Sequence, residues 1–95
     1  IMDVSPYCDC YAASDAPIVP DVGMLASFDP VALDQACADL VNRQPVMPNS
    51  MLGEAGTPIG DHFNHLHSGT DWAYGLQHAE KIGLGTRAYE LITLK

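Results

Sequence analysis

The chain has 95 residues and a formal net charge of −8, from 12 acids against four bases, a balance that repels phosphate backbones and anionic lipid and argues against nucleic acid and membrane as partners. With 47% hydrophobic and 17% charged residues, the composition is that of a folding domain and not of a disordered tail. No run approaches the roughly 18 consecutive apolar residues of a spanning helix and no secretory leader pattern opens the chain. Its three cysteines do not make the even-numbered framework of a secreted disulfide domain, so a soluble, cytoplasmic setting is expected.

In chain order, residues 1–4 form a short apolar run that Ser5 and Pro6 end, because proline lacks a ladder donor and restricts the residue before it. This reads as a strand leading into a loop that carries Cys8-Asp9-Cys10 and then the extended Ala16-Pro17-Ile18-Val19-Pro20. Because the sequence opens on what reads as a strand in progress, the chain is expected to be a single domain over residues 1–95, the C-terminal piece of a longer protein. Residues 22–27 suit a buried strand, weakened at Gly23. Asp29 as N-cap and Pro30 as first helical residue then open an amphipathic helix to about Gln44, with Leu33, Ala36, Cys37, Leu40 and Val41 on one stripe.

Pro45 and Pro48 stop that helix and begin a loop through Gly53, Gly56 and Gly60, expected to be mobile. A second helical region starts near Asp61, breaks at Ser68-Gly69 and restarts at Thr70 or Asp71, with Trp72, Leu76, Ala79 and Ile82 on one face and Gly83 as its cap. Residues 89–94 are rich in strand formers and read as a final strand. The expected class is α/β: a mixed or partly parallel sheet of about three strands with two or three helices, part of a larger fold whose other strands come from upstream or from a partner.

Three blocks, Met2-Asp3-Val4-Ser5-Pro6-Tyr7-Cys8-Asp9-Cys10, Asp15-Ala16-Pro17-Ile18-Val19-Pro20-Asp21-Val22-Gly23 and Ala26-Ser27-Phe28-Asp29-Pro30-Val31-Ala32-Leu33-Asp34, resemble in this order the C-terminal part of the family called domain of unknown function 362. Asp71-Trp72 followed by Ala79-Glu80-Lys81-Ile82-Gly83-Leu84-Gly85 extends the resemblance toward the end. It implies an association with iron-sulfur or redox proteins of prokaryotes, whose longer members carry ferredoxin-like cysteine motifs. This chain has no such segment, and the resemblance transfers no catalytic residue to it.

Thiolates are soft metal ligands, so Cys8 and Cys10 are the sharpest candidates for holding iron, zinc or the edge of an iron-sulfur cluster. On an extended strand their backbones stand about 6 to 7 Å apart, so the loop must bend for both to reach one ion. His65 and His67, within Asp61-His62-Phe63-Asn64-His65-Leu66-His67, would complete a four-ligand set through a tertiary contact; the alternative is a set of exposed histidines. Cys37, on the apolar stripe, reads as a small core residue. Asp3, Asp9, Asp15 and Asp21 recur every six residues without a calcium-loop pattern and read as turn formers.

The acids at Asp3 and Asp9 are expected to raise a neighbouring thiol's pKa, which argues against a cysteine nucleophile. No serine elbow is present, and Gly83-Leu84-Gly85 lacks the strand before it and the helix after it that a phosphate-binding loop needs. The functional expectation is an accessory or binding domain of an iron-sulfur-associated protein. Its alternatives are a purely structural interaction module and a metal-dependent enzyme fragment with a cleft between the cysteine loop and the histidine-bearing helix. Partners are the upstream region of the same protein, a partner subunit, or a second copy in a homo-oligomer.

Overall fold

The computed structural model describes residues 1–54 and 60–94. Gly56, in the loop expected to be mobile, lies outside the described residues. Among the described residues four helices occur, in the order α1 (Pro30–Arg43), α2 (Met51–Glu54), α3 (His62–Leu66) and α4 (Trp72–Lys81). None is long and apolar enough to cross a membrane.

The longest helix forms where the capping pattern places it. Asp29 Oδ1 accepts the Val31 and Ala32 backbone N–H groups at 2.9 and 3.1 Å, which satisfies two of the donors a helix start leaves free. The buried face of α1 is Val31, Ala32, Ala36 and Val41. Helix α4 ends in a Schellman arrangement: the Leu84 N–H reaches the Ala79 carbonyl, the Gly83 N–H reaches the Glu80 carbonyl, and Gly83 takes the left-handed φ of 84° that favours glycine. Helix α2 begins in the proline-bounded loop, where sequence patterning indicates no element; Ser50 Oγ donates to the Met47 carbonyl and accepts the Gly53 N–H. A Cβ on Gly53 would lie 2.6 Å from the Met47 carbonyl oxygen, so only glycine allows that close approach.

The expected α/β architecture is overturned: no residue in the described part of the chain lies in a β-strand. The apolar runs are joined by scattered hydrogen bonds instead of a repeating ladder. Ile1 exchanges bonds with Gly23, the Ile18 N–H reaches the Val4 carbonyl, and the Met47 N–H reaches the Ile18 carbonyl. Two local causes stop a ladder between the first two runs. Asp3 sits at φ 52°, in the left-handed region, and sends its N–H to the Asp21 carboxylate at 2.9 Å. Pro17 and Pro20 remove further donors.

Ile18, Val19, Val41 and Leu52 form the core, with Ile1, Val4, Val46, Phe63 and Leu66 packed around it. The first segment, the end of α1 and the short helices α2 and α3 therefore share one apolar centre, and the cysteine loop projects from it. The C-terminal segment is fastened from outside. Asp29 Oδ2 accepts the Thr86 N–H at 2.9 Å, Glu80 accepts the Arg87 N–H at 2.6 Å, and the Tyr89 hydroxyl donates to Asp39 at 2.6 Å.

Residues 89–94 and residues 22–27 face a groove of about 800 Å³ along the Ala32, Leu33, Ala36 and Leu40 face of α1. The backbones of residues 24–27 and 89–94 make no hydrogen bond with any described residue. The two expected strands thus run beside a groove, each without a strand neighbour.

Candidate functional site

The cysteine loop is built on a buried root. Pro6 is buried and its carbonyl oxygen accepts from His67 Nε2 at 2.6 Å. The Tyr7 ring packs tilted against His67, with centroids 5.2 Å apart, and edge-on to Tyr11 at 5.1 Å. From that root the chain turns sharply: the Tyr11 N–H reaches the Cys8 carbonyl at 2.9 Å, closing a β-turn with Asp9 and Cys10 at its centre, and the Ser14 N–H reaches the Tyr11 carbonyl to close a second turn.

This turn supplies the bend that two cysteines in i, i+2 relation need. The Cys10 thiol donates to Cys8 Sγ at 2.9 Å, and both cysteines are exposed. The Cys8 thiol is held below its ordinary pKa because the Cys10 thiol, and secondarily the Cys10 backbone N–H, donate to its sulfur. Asp9 pushes in the opposite direction, as its charge requires, but its push is the smallest of the four contributions. The expected rise in thiol pKa from the neighbouring acids is thus reversed at Cys8 by local donors that only the folded turn supplies.

The histidines divide. His67 stands at the root of the loop, and with Nε2 donating to Pro6 its Nδ1 is the nitrogen left for a further contact. His65 is half-buried on α3. His62, expected to be one of a set of exposed histidines, is buried, with Nε2 directed to the Gln44 carbonyl at 2.9 Å and its backbone N–H donated to Asn42 Oδ1 at 2.8 Å. His62 Nδ1 is buried with no hydrogen-bond partner. His78 is exposed on α4. Among the described residues, no three His, Cys, Asp or Glu side chains stand together as a ligand set. The fold brings Cys8 together with Cys10, and His67 to the root of their loop, without gathering all four.

Cys37 is half-buried, where a place in the core is expected. It lines a cavity of about 320 Å³ among α1, α3 and α4 with Val41, Phe63, Trp72 and Leu76. Burial pushes its thiol up, and the nearby Asp34 adds to this.

Asp61 is the residue whose reach the sequence conceals. It caps α3 through the Phe63 N–H at 3.0 Å, accepts from Asn42 Nδ2 at 3.4 Å, and takes the Trp72 indole N–H on its other oxygen at 2.7 Å. Its place before a helical pattern foretells the cap, but the link to Trp72 on α4 has no sequence signal. Asp15 accepts its neighbour Ala16 N–H as a turn former does, whereas Asp21 accepts the Asp3 backbone N–H and so links two segments.

No curated protein and no solved structure matches the chain. Residues 1–39, which contain the cysteine loop, the hydrogen-bonded segments around it and the first part of α1, match the model of the family described as domain of unknown function (DUF362), and the resemblance read from the three N-terminal blocks holds over that stretch.

Proposed function

We propose that this chain is an accessory binding domain of an iron-sulfur or redox-associated prokaryotic protein, in which Cys8 and Cys10 provide two thiolate ligands to a soft metal. The observation that carries this reading is the 2.9 Å approach of two exposed thiols on one β-turn. Two thiolates on a tetrahedral ion with metal–sulfur bonds of about 2.3 Å stand about 3.8 Å apart, so the sulfurs would part by about 1 Å to chelate, within the reach of side-chain rotation.

His67 through Nδ1, and His65, are this chain's own candidates for completing the set; donors on a docked partner are the other source. Iron, zinc or an iron-sulfur cluster held there would supply electron transfer or Lewis acidity, while the chain's part is to bind it and orient it. A cytoplasmic, reducing setting belongs to the same reading, since it keeps the thiols available.

Elemental analysis and an absorption spectrum of protein purified without oxygen test this, for the parent chain and for Cys8→Ser/Cys10→Ser. About one equivalent of metal in the parent, lost in the double variant with folding unchanged, is the expected result. Absence of metal in the parent even after exposure to iron with sulfide, or to zinc, refutes it.

A second reading, an interaction module independent of metal, is favoured by the groove between residues 22–27 and 89–94. Two backbones without ladder partners, beside the Leu33 and Leu40 face of α1, suit the addition of an extended segment. That segment would come from the upstream region of the same protein or from a partner subunit, with pairing between two copies as the homo-oligomeric variant. Light scattering on the chain alone, and again after addition of its upstream region, separates these sources. A chain that stays monomeric and binds neither overturns the module.

A further inference from the structure

We infer that Cys8 and Cys10 also work as a reversible dithiol–disulfide pair that exchanges electrons with small organic disulfides. The inference uses the same cysteine pair as the proposed metal site but requires no metal. Its basis is the geometry of the turn. Two sulfurs 2.9 Å apart need to close by only about 0.9 Å to reach bonding distance. Both are exposed, so a substrate disulfide can approach without opening the core. The loop is held on one side by the buried Pro6 and its bond from His67, and across the turn by the Tyr11 N–H on the Cys8 carbonyl. Such anchoring presents the thiols to each other before reaction.

Both sulfurs are exposed and face each other, so one attacks and the other resolves, and the exchange balances with Cys8 attacking and Cys10 resolving. Cys8 sulfur bonds to one sulfur of the substrate disulfide as the substrate S–S bond breaks; the first substrate thiol leaves and takes up the Cys8 proton. Cys10 sulfur then bonds to Cys8 as the mixed disulfide breaks, and the second substrate thiol leaves with the Cys10 proton. Two electrons pass from the cysteine pair to the substrate, which departs as two thiols. Cys37 takes no part: it is half-buried against α4 and its thiol is pushed up by burial.

The test uses the full 95-residue chain with a metal chelator present, so that failure of the metal reading leaves this result untouched. The protein is mixed with hydroxyethyl disulfide, which is uncharged, then quenched in acid, alkylated and mapped by mass spectrometry. The parent is expected to lose two hydrogens, to carry a Cys8–Cys10 link and to retain no adduct on either residue. Cys10→Ser, at an exposed position and checked for folding by circular dichroism, is expected to retain one mercaptoethanol adduct on Cys8. The closure step is expected to be at least about ten-fold faster in the folded chain than in denaturant, since the turn holds the sulfurs together. No reaction, an adduct retained at Cys8 or Cys10 of the parent, or equal closure rates in the two states overturns the inference.

Discussion

Replacing Asp61 tests whether one carboxylate couples α1, α3 and α4. In Asp61→Ala the α3 cap to Phe63 is lost, a change that costs about 1 kcal/mol at a typical helix start. The Trp72 indole loses a charged acceptor at 2.7 Å, worth about 1.5 kcal/mol at the lower end of its range because Trp72 is half-buried and water can replace part of the bond. The Asn42 contact at 3.4 Å adds little. The expected loss is about 2 to 3 kcal/mol. Asp61→Asn keeps an oxygen for the cap but offers its amide to the indole N–H, so it loses only the second contribution, about 1 to 1.5 kcal/mol.

Trp72 is the chain's only tryptophan, so its emission during urea unfolding reports on the contact itself, with circular dichroism as the second probe. With a slope near 1 to 2 kcal/mol per molar urea, the alanine variant's midpoint falls by about 1 to 3 M and the asparagine variant's by roughly half that. Both variants within about 0.5 kcal/mol of the parent would refute the coupling. Asparagine as damaging as alanine would refute the cap's share.

Three further outcomes follow from the same geometry. A Cβ at Gly85 would collide with Asp29 Oδ1, so Gly85→Ala should detach residues 86–94 from the start of α1, read as faster amide exchange at Thr86 and Arg87 with α1 retained; unchanged exchange refutes the contact. The Asp29 carboxyl is lowered by donation from the Ala32, Thr86 and Val31 backbone N–H groups, and that of Glu80 first by the Arg87 backbone N–H. Their stabilisation is therefore present above the ordinary carboxylate range and is lost as pH falls through the lower folded values. Protection of Thr86 and Arg87 should decline below about pH 4, and protection persisting through the acid range counts against the tether. At the cysteine pair, the net charge of −8 and the adjacent Asp9 should make the cationic disulfide cystamine react about three- to ten-fold faster than oxidised glutathione at low salt, with the two rates converging in high salt. Equal rates at low salt refute that steering.

Residues acting on near neighbours were readable in the sequence. Asp29 as cap, the span of α1, the break between α3 and α4, and Gly83 as helix stop each rest on hydrogen bonds that reach no further than five residues, and a linear pattern records such bonds directly. The sheet was not readable, because a strand exists only when a second backbone runs beside it. Residues 22–27 and 89–94 have strand composition, yet the groove between them and α1 holds no third segment among the described residues.

The site divides in the same way. Cys8 and Cys10 were recognisable by residue type, but on an extended backbone they would stand apart; the turn closed by the Tyr11 N–H on Cys8 is what sets their sulfurs 2.9 Å apart and reverses the influence of Asp9 on the Cys8 thiol. His67 reached the loop through long-range contacts, with Pro6 sixty-one residues away and with the Tyr7 ring, and His62 became buried by packing of the same kind. Bonds between near neighbours set the ends of α1 and α4, and residue type alone set the acidic surface and the reactive side chains. Tertiary structure decided which of those side chains meet and which backbones pair, because both depend on segments distant in the chain.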